Sequence, residues 1–211
     1  MLVLVLARHA EPMSAVREGH LPLLADAENG LTVSGWGAAR ALAEALAGLG
    51  GECLLYASPI RRASETATCV AERLQVPIRY EASLAERSFD ALPQLTGHLS
   101  RQLQEDGLLD PERSLMGEES VAQHRVRVAG WFAHLQQQLL ARPDQHVIVV
   151  CHGGTIEHLL GLILHAPVAA LARYYLPCDC AHFHQLSTAM LGGELAFTLD
   201  GLNRPHLHLG G

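Results

Sequence analysis

The strongest pattern along the chain is a set of short, unbroken apolar runs, each ending in polar or basic residues. Leu2 to Ala7 is continuously aliphatic. It is long enough for a strand and too short for a helix, and its lack of alternation predicts a central strand covered on both faces. Cys53 to Ala57 and His146 to Cys151 read the same way, and Ile78 to Tyr80 gives a shorter strand. Helical stretches lie between them. Thr32 or Ser34 is placed to cap a helix of Ala/Leu/Glu composition that runs to Leu49, where Gly50 and Gly51 stop it. Pro59 breaks the second strand, and the segment from Arg61 to Gln75 predicts a helix. Ser114 to Leu140 reads mainly as a long helix ended before Pro143, with a short helix near His98 to Gln104. Gly153 and Gly154 turn into a helix through Leu164. After Pro177 the chain predicts a hairpin of two strands turning at Gly192-Gly193.

Strands alternating with helices predict an α/β fold: a three-layer α/β/α, doubly wound, mostly parallel sheet. There is no internal repeat, linker or low-complexity segment. Residues 1–211 are therefore expected to form a single domain, with an irregular, site-facing insertion around 88–117. Residues 10–31 form a second long loop, and long loops in compact domains tend to be functional.

Composition narrows the class. Apolar residues make up 49% of the 211 and charged residues 18%, as in a globular chain. The net charge of −7 argues against nucleic-acid and anionic-membrane partners, but not against a small anionic ligand held by a local field. Five cysteines, an odd number scattered among apolar neighbours, imply no disulfide framework and point to a reducing compartment. The first apolar run is too short for a signal sequence, and no stretch reaches the roughly 20 residues of a membrane span. The expected location is the cytoplasm.

Candidate chemistry sits where strands end, because open α/β sheets bind ligands beyond the carboxyl ends of their strands. The first run ends in Arg8-His9. The second ends in Ser58-Pro59, followed by Arg61-Arg62 at a helix start. The third ends in Cys151-His152 before two glycines and a helix. If these strands are parallel, two histidines and at least one arginine face one crevice. Guanidinium forks match phosphate oxygens, helix amino ends add donors, and a neutral imidazole is a competent nucleophile. An acid to protonate the leaving oxygen is available at Glu86, just past the short third strand. Singly, each residue has an ordinary reading as a surface histidine, a solvated helix start or a loop acid. Their joint placement carries the expectation.

Other chemistries fit less well. A cysteine phosphatase needs Cys, five residues, then Arg; six positions after Cys151 stands Glu157. No G-x-x-x-x-G-K is present, and no G-x-G-x-x-G follows the first strand. Cys178, Cys180, His182 and His184 alternate, and on a strand would share one face. Alternate residues then lie roughly 6.5 Å apart, too far for four ligands to converge on one ion. No metal or other cofactor is expected.

With these residues in place, the sequence resembles the histidine phosphatase superfamily, of phosphoglycerate mutase-like fold. The resemblance runs through "ARHAEP", "LTVSGWGAARALAEAL", "ASPIRRASETA", "LAERSF", "GEESVAQHRVRV" and "VVCHGGTI", in family order from residue 2 to about residue 160. It implies that His9 is the nucleophile and becomes phosphohistidine, and that Arg8 and Arg62 bind phosphoryl oxygens. Arg62 rather than Arg61 aligns, because it precedes Ala63 and stands at the right spacing from Thr66-Ala67. His152 would be the second phosphate-pocket histidine, and Glu86 the acid that then activates water. The arginines and histidines would supply the charge a metal otherwise brings.

The pattern departs in three places. The family glycine after Arg-His is Ala10, its phosphate-holding asparagine is Ala15 with Ser14 beside it, and Phe89 is followed by Asp90 instead of glycine. Only about 30 residues separate Glu86 from Glu118, short for a mutase, so hydrolysis of a small phosphorylated metabolite is favoured. The alternatives are mutase-type transfer, ribazole-phosphate or protein phosphohistidine dephosphorylation, and a non-catalytic phosphate-binding regulator. Arg17, His20, His98 and Arg101 are candidates for substrate contact. The oligomeric state is open, with a homodimer as one option.

Overall fold

The computed structural model describes residues 2–16, 24–87, 97–114, 118–142, 144–173 and 176–205. Six strands form one sheet in the order β3-β2-β4-β1-β5-β6. They are β1 (Val3–Arg8), β2 (Cys53–Ala57), β3 (Ile78–Tyr80), β4 (His146–Cys151), β5 (Phe183–Leu191) and β6 (Glu194–Arg204). The first four are parallel to one another, and β5 and β6 close one edge as an antiparallel hairpin. The expected mostly parallel α/β sheet is present.

The unbroken apolar runs are explained by burial on both faces. Val3, Val5 and Ala7 of β1 join Ile148 and Val150 of β4 in one core. That core is covered by α1 (Val33–Ala47) and α2 (Arg61–Leu74) through Leu42, Leu46, Ala63, Ala67 and Val70. The alternate residues Leu4 and Leu6 join Val147 and Val149 in a second core. It is covered by α4 (Val121–Ala141) and α5 (Gly153–Ile163) through Trp131, Phe132, Leu135, Ile156 and Leu159. A further helix, α3 (Gly97–Leu109), falls within the segment expected to be irregular.

Several element ends differ from expectation. The long helix starts at Val121, not Ser114. Ser120 caps it, accepting from the Gln123 amide while the Gln123 side chain accepts from the Ser120 amide, a capping box that fixes the first turn. The short helix near His98 is the longer α3. The helix from Thr32 stops at Ala47, ahead of Gly50 and Gly51. Thr32 is its cap, accepting from the Gly35 amide. Gly35 is required there, since a Cβ would lie 2.3 Å from the Glu11 carbonyl oxygen.

The alternating cysteines and histidines are not on one strand. β5 begins only at Phe183, and Ala181 turns the chain with φ 58°. Cys178 Sγ donates to the His182 carbonyl, and His184 Nδ1 accepts from the Asn203 amide. Among the described residues no group of histidines, cysteines and carboxylates could hold a metal ion, and no helix is long and apolar enough to cross a membrane.

Ile148 is fully buried at the centre of β4, between both neighbouring strands. Ile148→Ala is expected to cost about 2–5 kcal/mol in urea unfolding. A loss below about 1 kcal/mol would contradict its place in the core.

Candidate functional site

The parallel ladder sets three strand exits side by side. Arg8 is in register with Cys151, and the His9 amide donates to the Cys151 carbonyl at 3.0 Å. One strand over, the Ser58 amide donates to the Val150 carbonyl at 3.0 Å. The His9 and His152 rings consequently lie 5.1 Å apart between centroids. Both are almost fully buried.

The hydrogen bonds orient the rings. His9 Nδ1 lies 2.8 Å from the Ala10 carbonyl, an acceptor, so Nδ1 carries the proton and Nε2 keeps its lone pair. His152 Nε2 pairs with Ser58 Oγ at 2.8 Å, and its Nδ1 is buried without a partner. Burial, then the Arg62 and Arg8 charges, hold His9 well below the ordinary histidine range, with its Ala10 bond opposing. Burial, His9 and Arg62 do the same to His152. Both rings are therefore neutral in the free protein. Burial also pushes the Cys151 thiol far up, which removes it as a thiolate nucleophile.

Arg8 donates through Nη1 to the Cys178 carbonyl at 2.9 Å, while its Nε is buried and unpartnered. Arg62 sits in the first turn of α2, nearly buried, and donates to Asp26 Oδ1 at 2.6 Å. Arg61 is different: it is half exposed and pairs with Glu65, one turn along the same helix. The N-cap residues Ile60 of α2 and His152 of α5 make no side-chain cap, and the first turn of α5 is met instead by a carboxylate from the loop after β3. The uncapped amino end of α2, two guanidinium groups and the unpartnered atoms Arg8 Nε and His152 Nδ1 form a site with the chemistry of an anion receptor.

Glu86 joins the site through α5. Its carboxylate accepts from the Gly154 amide at 2.9 Å and from the Arg87 amide at 3.1 Å. A Cβ on Gly154 would lie 2.7 Å from Glu86 Oε1, so glycine is needed for this approach. The loop carrying Glu86 is held by residues whose task the sequence did not disclose. Arg127 Nη1 donates to the carbonyls of Ala82, Ser83 and Ala85, and Glu119 grips the same guanidinium through Nε and Nη2 at 2.8 and 2.6 Å. Burial raises the Glu119 carboxyl, but the Arg127 bonds and charge outweigh it, and the net shift is downward. His124 Nδ1 lies 3.7 Å from Glu86 Oε1, and its ring stacks edge-on to His158 at 4.6 Å.

The two departures near His9 resolve differently. Ala10 is fully buried, its amide donates to Thr66 Oγ1 at 3.0 Å, and its φ is not positive. Glycine's freedom is not used here, and the methyl group packs into the core. Ser14 is tied to Asn29 in both directions, its amide donating to Oδ1 and its hydroxyl accepting from Nδ2. Arg17, His20, Phe89 and Asp90, and the side chains of His98 and Arg101, lie outside the described residues. A surface groove lined by Leu54, Arg79, Leu135 and Val147 lies at the amino ends of β2 and β4, away from this cluster.

A doubly wound sheet with two histidines and two arginines at its carboxyl edge defines a class of phosphate-handling protein. The sequence matches the Histidine phosphatase superfamily (branch 1) over residues 4–195, and the chain belongs to that family. No curated protein matches it. Among solved structures it is similar to a protein described as mycobacterial hydrolase 1, with 26% identity and a TM-score of 0.78, covering 97% of this chain and 100% of that one. It is also similar to mycobacterial glucosyl-3-phosphoglycerate phosphatase, with 25% identity and a TM-score of 0.77, covering 96% and 99%. That enzyme has also been solved with inorganic phosphate and with VO3. The alpha-ribazole phosphatase of Shigella flexneri shares the fold at 22% identity and a TM-score of 0.72, covering 96% of each chain.

Asp26 sits on Arg62 as a competing anion. Asp26→Asn is expected to tighten inorganic phosphate binding roughly two- to fivefold, the range of a partly exposed ion pair, by isothermal titration calorimetry. Unchanged or weaker binding would contradict the competition.

Proposed function

We propose that the protein is a phosphomonoesterase that hydrolyses a small phosphorylated metabolite through a phosphohistidine at His9. The observation that carries this reading is the His9 ring itself. It is neutral, its Nδ1–H is committed to the Ala10 carbonyl, and its Nε2 lone pair is left free beside His152. Family membership and the phosphate and VO3 complexes of a similar enzyme support it.

In this scheme Arg8 and Arg62 hold the phosphoryl oxygens, with Arg62 leaving Asp26 to do so. Ser58 donates to His152 Nε2, which puts the His152 proton on the unpartnered Nδ1, aimed at the transferring group. His9 Nε2 forms the bond to phosphorus as the ester P–O bond breaks, and Glu86 gives the leaving oxygen its proton. Glu86 then takes a proton from water as the hydroxyl attacks the phosphohistidine, which releases inorganic phosphate and neutral His9. No step draws on a metal ion.

Hydrolysis is preferred to mutase transfer because about 30 residues lie between Glu86 and Glu118, little chain with which to shut water out. The segment 88–117, within one domain, is assigned to the substrate mouth. Five free cysteines support a reducing, cytoplasmic setting.

The test is phosphate release from p-nitrophenyl phosphate. His9→Ala is expected to lower kcat by roughly 10³-fold or more while the fold survives. Equal activity in the two proteins would end the proposal. The pH profile is a second check. Because burial and the arginines keep His9 neutral well below the usual histidine value, the acid limb of kcat/KM is expected to lie below pH 6. A flat profile between about pH 4 and 9 with an alkyl phosphate such as glycerol phosphate, whose leaving group needs a proton, would contradict the acid and nucleophile roles.

A further inference from the structure

Glu157 is a half-buried carboxyl in the second turn of α5 that the scheme above does not use. No hydrogen bond or ion pair engages it among the described residues. Its position follows from helix geometry. It stands four residues after Gly153 and three after Gly154, so all three share one face, and helical side chains lean back over the preceding turn. That turn has no side chains of its own. A Cβ on Gly153 would meet the Arg8 guanidinium at 3.7 Å, and one on Gly154 would meet the Glu86 carboxylate at 2.7 Å. The Glu157 side chain thus reaches over two bare glycines into the space bounded by Arg8 and Glu86.

We propose that Glu157 is a positioning residue for the proposed acid: it and Glu86 form a carboxyl pair that shares one proton on the leaving-group side of the site. This rests on the reading of Glu86 given above and extends it. Two charged groups face Glu157, Glu86 from the loop after β3 and Arg8 from β1, and its neighbour on the helix, His158, turns toward His124 instead. Burial first, then the Glu86 charge, raise the Glu157 carboxyl to about 7, with Arg8 opposing. Two adjacent carboxyls of this kind titrate as a unit, and the second proton to leave belongs to the pair. The backbone amides of Gly154 and Arg87 donate to Glu86, and burial favours the neutral form of Glu157, so the resting proton lies on Glu157. In the first half-reaction the pair gives this proton, through Glu86, to the leaving alkoxide. In the second it takes one from the attacking water. The proton count closes over one turnover.

The arrangement keeps a proton within reach of Glu86 near neutral pH, because burial holds one on Glu157. Without its partner, the pair's last proton leaves at lower pH. The device matters only for leaving groups that need a proton, such as alkoxides, and little for nitrophenolate.

The experiment is the pH dependence of kcat/KM for glycerol phosphate and for p-nitrophenyl phosphate, in the wild type, Glu157→Gln, Glu157→Asp and Glu86→Gln. Glu157→Gln is expected to move the alkaline limb for glycerol phosphate toward acid by roughly one pH unit, with a much smaller movement for p-nitrophenyl phosphate. Glu157→Asp should keep most of the wild-type limb. An unmoved limb in Glu157→Gln, a move toward alkali, or an equal move with both substrates would overturn the proposal. Glu86→Gln separates the two levels. If it loses glycerol phosphate turnover while Glu157→Gln leaves the limb in place, the pair fails and the acid role of Glu86 stands. If Glu86→Gln keeps full turnover, both fail.

Discussion

The parallel register between β1 and β4 is the constraint on which the site depends. The His9 amide is bonded to the Cys151 carbonyl, which sets Arg8-His9 beside Cys151-His152 at the same edge of the sheet. A slip of one residue would send every side chain of β1 to the opposite face, moving Leu4 and Leu6 out of one core and Val3 and Val5 out of the other. The aliphatic run that looks like simple core material is therefore also what positions the two rings. Burial on both faces holds the register, and the register holds the chemistry.

Electrostatics then sorts the groups at that edge. Histidines buried between guanidinium groups are kept neutral, which suits a nucleophile and a neutral donor. Carboxyls are graded by what surrounds them. Glu119 is clamped by Arg127 and serves the loop, Asp26 is paired with Arg62, Glu86 accepts two backbone amides, and Glu157 has burial and a like charge beside it. The glycines after His152 are the physical means, since they let Glu86 approach the start of α5 and leave room above it.

Much of this was legible in the sequence. Unbroken apolar runs gave strands covered on both faces, and residues at their exits gave the two histidines and Arg8. The choice of Arg62 over Arg61 came from the family pattern, and the two side chains do point to different partners, Asp26 and Glu65. What was not legible was long-range pairing. Nothing local shows that Arg127 holds the Glu86 loop, that Asn29 ties down Ser14, or that Asp26 reaches Arg62. Local rules failed where a turn intervened. Cys178, Cys180, His182 and His184 alternate as on a strand, but the left-handed turn at Ala181 ends the pattern before β5 begins. Ser114 to Ser120 carried helical composition, yet Ser120 and Gln123 form a capping box that starts the helix later. Glu157 entered the sequence argument only as the residue that is not arginine. Its importance comes from a helix face that only the fold reveals.

The central claim is that the phosphoryl group passes through His9. The most direct measurement is acid-free rapid quench of the wild-type protein during turnover, followed by mass spectrometry of the trapped phosphoenzyme. The account predicts an acid-labile, base-stable phosphate on the peptide that carries His9, formed within the first turnover and absent from His9→Ala. Phosphate on any other residue, or steady turnover in which no phosphoenzyme forms, would contradict it.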